Sequence, residues 1–161
     1  MAPKTLYVAM LRHPIHFLSL GFGSGLAPKA PGTFGTLAAI PVYLALANTS
    51  SEIYLSITIL LFILGIYFCQ FTADAVGVHD HPGIVWDEIV GFLVTMSFVK
   101  CSLVSITAGF LLFRFFDILK PWPIGWLDKK VQGGFGIMLD DLLAAIFSAA
   151  LLAYIEYLSY I

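Results

Sequence analysis

The sequence predicts an all-α fold, a polytopic membrane helical bundle with short, re-entrant or interfacial helices. Three observations predict it. Of the 161 residues, 60% are hydrophobic and only 11% are charged, with a mean hydropathy of +0.94, whereas a soluble domain carries about 25% charge. The apolar residues come in runs long enough to cross a bilayer. The alternating pattern and tight turns of β-hairpins do not occur. The length suits one domain, residues 1–161. A net charge of −2 offers nothing to a nucleic acid. Cys69 and Cys101 lie in apolar runs without metal or CxxC spacing, and both read as buried, inert thiols. The N-terminus lacks the pattern of a cleavable signal peptide.

The elements follow in order. Residues 15–26 form a short apolar piece broken by glycines, suited to the interface or to packing rather than to spanning. Residues 30–51 are uncharged but contain Pro31, Gly32, Gly35 and Pro41, so the first half reads as a turn-rich loop and the second as a helix. Residues 53–71 are nineteen in a row without a charge, enough for one span. Residues 89–113 are interrupted only by Lys100, and residues 142–161 only by Glu156. Lys4, Arg12 and Lys29 place the N-terminal part in the cytoplasm by the positive-inside bias. Two crossings then return the chain to that face near Asp87. One straight span over 89–113 would carry Arg114 and Asp117 about 30 Å away. A hairpin turning near Lys100, with arms of about 18 Å, would bring them back.

Charged residues are concentrated. Asp74, His79, Asp80, His81, Asp87 and Glu88 fall in one connection; Arg114, Asp117, Lys120, Asp128, Lys129 and Lys130 fall in the next; Asp140 and Asp141 open the last apolar run. Of ten acids, only Glu52 and Glu156 lie elsewhere. In "GIVWDEIVG", Asp87 and Glu88 either complement a helix N-terminus or bind a ligand. In "FRFFDILKPWP", Arg114, Asp117 and Lys120 recur at i, i+3 and i+6, either as an ion-paired stripe or as a cradle for phosphate beside a metal. Pro121 ends that helix. In "GGFGIMLDD", Gly133, Gly134 and Gly136 give φ freedom and the two acids occupy a first turn. Capping explains one of these acids well and two poorly, so metal binding is favoured. Oxygen-only donors suit hard cations. His79 and His81 match no zinc spacing and read as parts of a polar turn. The loop "GLAPKAPGTFG" is not a P-loop, yet its glycines, Lys29 and Thr33 lead into a helix and suit an anion.

The four motifs "GLAPKAPGTFGTL", "DHPGIVWDEIVG", "FRFFDILKPWPI" and "GGFGIMLDD", in this order and spacing over residues 19–147, resemble the bacterial phosphatidylglycerophosphatase A family. Phe34 stands where that pattern has Trp, and Ala145 where Gly is common. The resemblance implies a Mg²⁺-dependent, membrane-embedded phosphatase of phospholipid biosynthesis in the bacterial inner membrane. It would convert phosphatidylglycerophosphate, an anionic lipid, to phosphatidylglycerol, with the active site facing the cytoplasm and no obligate protein partner. The expected metal ligands and catalytic residues are Asp87, Glu88, Asp117, Asp140 and Asp141. Lys29, Thr33, Arg114 and Lys120 would hold the phosphate. Neither a Cys-x₅-Arg nor an Asp-x-Asp-x-Thr run is present, so metal-activated water is preferred to a covalent intermediate. An ion-coupled transporter using intramembrane carboxylates is the alternative, but it lacks the inverted repeats expected of one. A lipid-phosphate alcohol transferase lacks its Asp-Gly-x-x-Ala-Arg core.

Overall fold

The computed structural model describes residues 8–158, so Lys4 lies outside the described residues. Within them the chain is all helical, with seven α-helices, two 3-10 helices and no strand. The α-helices are α1 (Pro14–Ser19), α2 (Pro31–Leu46), α3 (Ser51–Val76), α4 (Trp86–Thr95), α5 (Leu103–Leu119), α6 (Ile124–Lys130) and α7 (Gly133–Leu158). Residues 15–26 are indeed short and broken. α1 gives way to a 3-10 segment kinked at Phe22 and Gly23, where φ is +59° and +97°.

α3 and α7 are each 26 residues, about 39 Å long, and apolar enough to cross a membrane. α3 starts at the Ser50 cap, whose hydroxyl accepts from the Ile53 N–H, and stops at Gly77, whose φ of +76° closes the C-terminus. Its outer face shows Ile59, Ile63 and Tyr67, each more than half exposed. α5 likewise exposes Leu111 and Ile118. Apolar faces this continuous suit lipid rather than water. α4 is enclosed instead: Ile89, Phe92 and Leu93 are wholly buried, and Trp86 Nε1 donates to the Leu61 carbonyl at 3.1 Å, tying α4 to α3.

Residues 89–113 do not form one span. The chain leaves α4 after Thr95 and resumes at Ser102, whose hydroxyl caps α5. The arms are unequal, about 15 Å and 26 Å at 1.5 Å per residue. They pack through Gly91, where an added Cβ would meet the Phe113 ring at 2.6 Å. The tip of the hairpin lies at the far end of α7: the Lys100 N–H donates to the Glu156 carboxylate at 3.2 Å.

Four local expectations need correction. α2 begins at Pro31, so Gly32 and Gly35 lie within a helix rather than in a loop. Pro31 is preset for the first helical position, and the glycines are there for close approach: a Cβ on Gly35 would strike Val85 at 2.6 Å. α7 begins at Gly133, so Asp140 and Asp141 sit two turns inside it, beyond the reach of N-terminal capping. Of the three glycines opening α7 only Gly133 uses a positive φ, +79°; Gly134 and Gly136 are pressed against the Ile66 and Val131 carbonyls. Cys69 is buried as expected, but Cys101 is exposed, because it lies in the break between α4 and α5.

Candidate active site

One pole of the bundle gathers the charged motifs around a cavity of about 220 Å³. Its walls come from the start of α2 (Ala30, Pro31, Gly32), the loop before α4 (Asp80, Pro82, Ile84), the first turn of α4 (Asp87, Glu88), the end of α5 (Arg114, Asp117, Lys120) and α7 (Asp140, Asp141).

Asp87 and Glu88 occupy the first turn of α4, but neither caps it. The N–H of the Val85 cap residue donates instead to the Ser19 carbonyl at 3.0 Å, which leaves the Glu88 carboxylate for the cavity. Asp87, Glu88 and Asp141 each present an oxygen, and the three lie within 4.8 Å of one another. All three residues are at most 9% exposed. Asp87 Oδ1, Glu88 Oε2 and Asp141 Oδ2 are buried without a hydrogen-bond partner. Like charges at this separation repel by roughly 3 kcal/mol per pair at an effective dielectric of 20. Orphaned buried carboxylate oxygens are costly unless a cation or proton compensates them. An all-oxygen donor set of this kind fits a hard divalent cation.

The other two acids are paired. Arg114 ion-pairs with Asp117 and lies 3.8 Å from Glu88 Oε1, while its Nε is buried without a partner. Lys120 follows the last turn of α5 in the left-handed region, φ +41°, where a non-glycine residue is strained. That conformation accompanies donation by its ammonium to Asp140 Oδ2 at 2.5 Å and Asp128 Oδ1 at 2.9 Å. Burial works to lower the Lys120 ammonium, and Asp140 and Asp128 together outweigh it, so the group is held above its ordinary range.

The structure therefore brings together Asp87, Glu88, Asp117, Asp140, Asp141, Arg114 and Lys120. Lys29 is exposed and does not line the cavity; Thr33 donates its N–H to the Ala30 carbonyl at 2.9 Å and does not line it either. His81 Nδ1 accepts the Gly83 N–H at 3.1 Å within the polar turn, while His79 Nδ1 accepts the N–H of Gly133 at the start of α7 at 3.3 Å. Sequence reasoning passed over two contributors, Asp80 and Asp128, and it assigned the anion site of the Gly-rich loop to Lys29 and Thr33, whereas Ala30, Pro31 and Gly32 are the residues of that stretch that line the cavity. Asp80 and Asp128 stand in the same polar connections as the chosen acids. Gly32 matters because a Cβ there would collide with the Glu88 carboxylate and approach the Arg114 guanidinium to 3.1 Å.

The family model for phosphatidylglycerophosphatase A matches residues 17–156, a stretch that contains every charged residue of this cavity. The chain belongs to the phosphatidylglycerophosphatase A family. Phosphatidylglycerophosphatase A of Haemophilus influenzae is 51% identical over 149 residues, covering 91% of each chain. The protein of the same name from Escherichia coli is 44% identical over 146 residues, 90% of this chain and 85% of its own. A provisionally named phosphatidylinositol-3-phosphatase of Bacteroides thetaiotaomicron is 33% identical over 143 residues, 84% of this chain and 89% of its own. No solved structure matches. Membership makes the chain an enzyme, a phosphatase, and the cavity holds the acids and cations that such chemistry needs.

Proposed function

We propose that this protein hydrolyses the terminal phosphate monoester of phosphatidylglycerophosphate to give phosphatidylglycerol, in a Mg²⁺-dependent reaction that uses water as nucleophile. The observation that carries the reading is the trio Asp87, Glu88 and Asp141, buried, mutually close and each with an unpartnered oxygen, set beside Arg114 and Lys120. A divalent ion held by that trio would supply charge neutralisation at the phosphoryl group and a more acidic water for in-line attack.

The chain's own residues do the rest. Arg114, anchored by Asp117 and Glu88, lines the cavity with a guanidinium that would receive a non-bridging phosphate oxygen, a role suited to a planar, permanently charged donor. Lys120 neutralises Asp140, so the second acid of the pair does not add to the charge an arriving phosphate must approach. The positive end of α2 at Pro31 and Gly32 faces the same space and favours an anion. The cavity sits at one pole of an apolar bundle, so a lipid headgroup reaches it while the acyl chains stay against the exposed faces of the helices. α3 and α7 span the inner membrane, the α4–α5 hairpin runs to the far end of the bundle and back, and the charged pole faces the cytoplasm, where the basic residues concentrate. Family membership weighs against the transporter reading.

The test uses purified protein in detergent micelles with phosphatidylglycerophosphate, followed by phosphate release and phosphatidylglycerol formation. Turnover with Mg²⁺ and its loss with chelator are expected. Turnover unaffected by chelator removes the metal from the reaction, and no turnover on this lipid removes the substrate.

A further inference from the structure

Two turns before Asp141 on the same face of α7, Gly134 donates its N–H to Gln70 Oε1 of α3 at 2.6 Å. Gln70 Nε2 in turn donates to Asp74 Oδ1 at 2.8 Å, which fixes the carboxamide's orientation. The glycine pair makes room for this contact: a Cβ on Gly133 would meet Gln70 Oε1 at 2.7 Å, and one on Gly134 would meet the Gln70 backbone N at 2.9 Å. Above it the α3–α7 seam is adaptable. Gly65 faces the Met138 thioether, and Cys69 Sγ lies 3.8 Å from Met138 Sδ. The methionine there is flexible and adapts to its neighbours. A slip of one residue along the seam would move Asp141 by about 1.5 Å and 100°, out of the group it shares with Asp87 and Glu88.

We propose that Gln70, oriented by Asp74, is a positioning residue that fixes the axial register of α7 and so places Asp141 in the metal-binding trio. Its amide takes the place of an N-terminal cap, supplied across the bundle from a residue 64 positions away. This rests on the metal-dependent reading above. Residues that orient metal ligands through one intermediate contact typically change metal affinity or activity by about 10- to 100-fold when removed.

The test compares Gln70→Leu, Gln70→Glu and the exchanged pair Gln70→Glu with Asp74→Asn. In the pair, the carboxylate introduced at position 70 accepts from Gly134, and the carboxamide introduced at position 74 donates to that carboxylate, so both hydrogen bonds survive with the charge moved. Mn²⁺ binding is titrated by electron paramagnetic resonance, and kcat and KM are measured on the lipid phosphate. Gln70→Leu and Gln70→Glu should weaken Mn²⁺ binding and lower kcat by about tenfold or more, with KM within about twofold, and the exchanged pair should return both to within about threefold of wild type. General destabilisation would not be rescued by the exchange. If Gln70→Leu does not assemble, Gln70→Glu and the exchanged pair decide alone. Wild-type Mn²⁺ affinity in Gln70→Glu, or an exchanged pair no better than Gln70→Glu, overturns the proposal. A wild-type protein that binds Mn²⁺ but does not turn over the lipid contradicts the proposed function instead, and the Mn²⁺ titrations still decide the role of Gln70.

Discussion

Asp141 is 3% exposed, carries an orphaned oxygen and stands among carboxylates rather than cations. Asp117 and Asp140, which look the same in the sequence, are each satisfied by a base. The two kinds of acid should therefore behave differently. Asp87→Asn, Glu88→Gln and Asp141→Asn should each lower kcat by about 100-fold or more, the scale of losing one preorganised charged group in a dry site. Asp117→Asn keeps a hydrogen bond to Arg114 and should cost about tenfold. Steady-state kinetics on the lipid phosphate separate the groups, and equal losses in all four variants would erase the distinction. The basic residues divide in the same way. Arg114→Ala should raise KM by about tenfold or more, and Arg114→Lys should recover only part, since lysine lacks the fork. Lys29→Ala should stay within about twofold of wild type because Lys29 is exposed and off the cavity wall. A Lys29→Ala defect as large as that of Arg114→Ala would mean that its loop closes over the substrate.

At the scale of elements, glycine has a role that composition hides. Alanine normally favours a helix interior over glycine by about 1 kcal/mol, so Gly32→Ala should help α2 as a helix. Its Cβ would nevertheless press into the Glu88 carboxylate and the Arg114 guanidinium. Activity should fall about tenfold or more while thermal stability holds or rises; full activity would show that the site yields without loss. The same glycines explain what the sequence misreads. In "APGTFG" the Pro and Gly suggest a loop, because those residues usually break helices, and nothing local reveals that a second element lies against the backbone. Asp140 and Asp141 look like a helix start because the glycines before them resemble a flexible connection. They lie inside α7 because the helix already starts at Gly133, where Gly134 packs against the Ile66 carbonyl. The α4–α5 break is legible, since a lone Lys100 in an apolar run has a physical cost. Which acids bind and which pair is not legible, because Arg114 and Lys120 choose their partners across helices.

At the scale of the molecule, bringing Glu88 within 3.8 Å of Arg114 requires the α4–α5 hairpin, and the hairpin fixes which loops share a face. In a Cys69→Ser, Cys101→Ser background, single cysteines at Pro82 and Gln132, both exposed near the charged pole, should be labelled from the same side of a sealed vesicle. In a separate Cys69→Ser protein, native Cys101, which is exposed beside Lys100 at the opposite pole, should be protected from that side. Labelling of the Pro82 and Gln132 positions from opposite sides would break the shared site. The central claim is that motifs dispersed along the chain build one metal-dependent phosphatase centre, and a Mg²⁺ titration of phosphate release from phosphatidylglycerophosphate by wild type and Asp141→Asn tests it most directly. The expected result is no turnover in chelator, saturable activation of the wild type, and for an intact Asp141→Asn protein a rate lower by about 100-fold or more with weakened Mg²⁺ dependence. Full wild-type turnover in chelator, or an Asp141→Asn protein as active as wild type at every Mg²⁺ concentration, would contradict it.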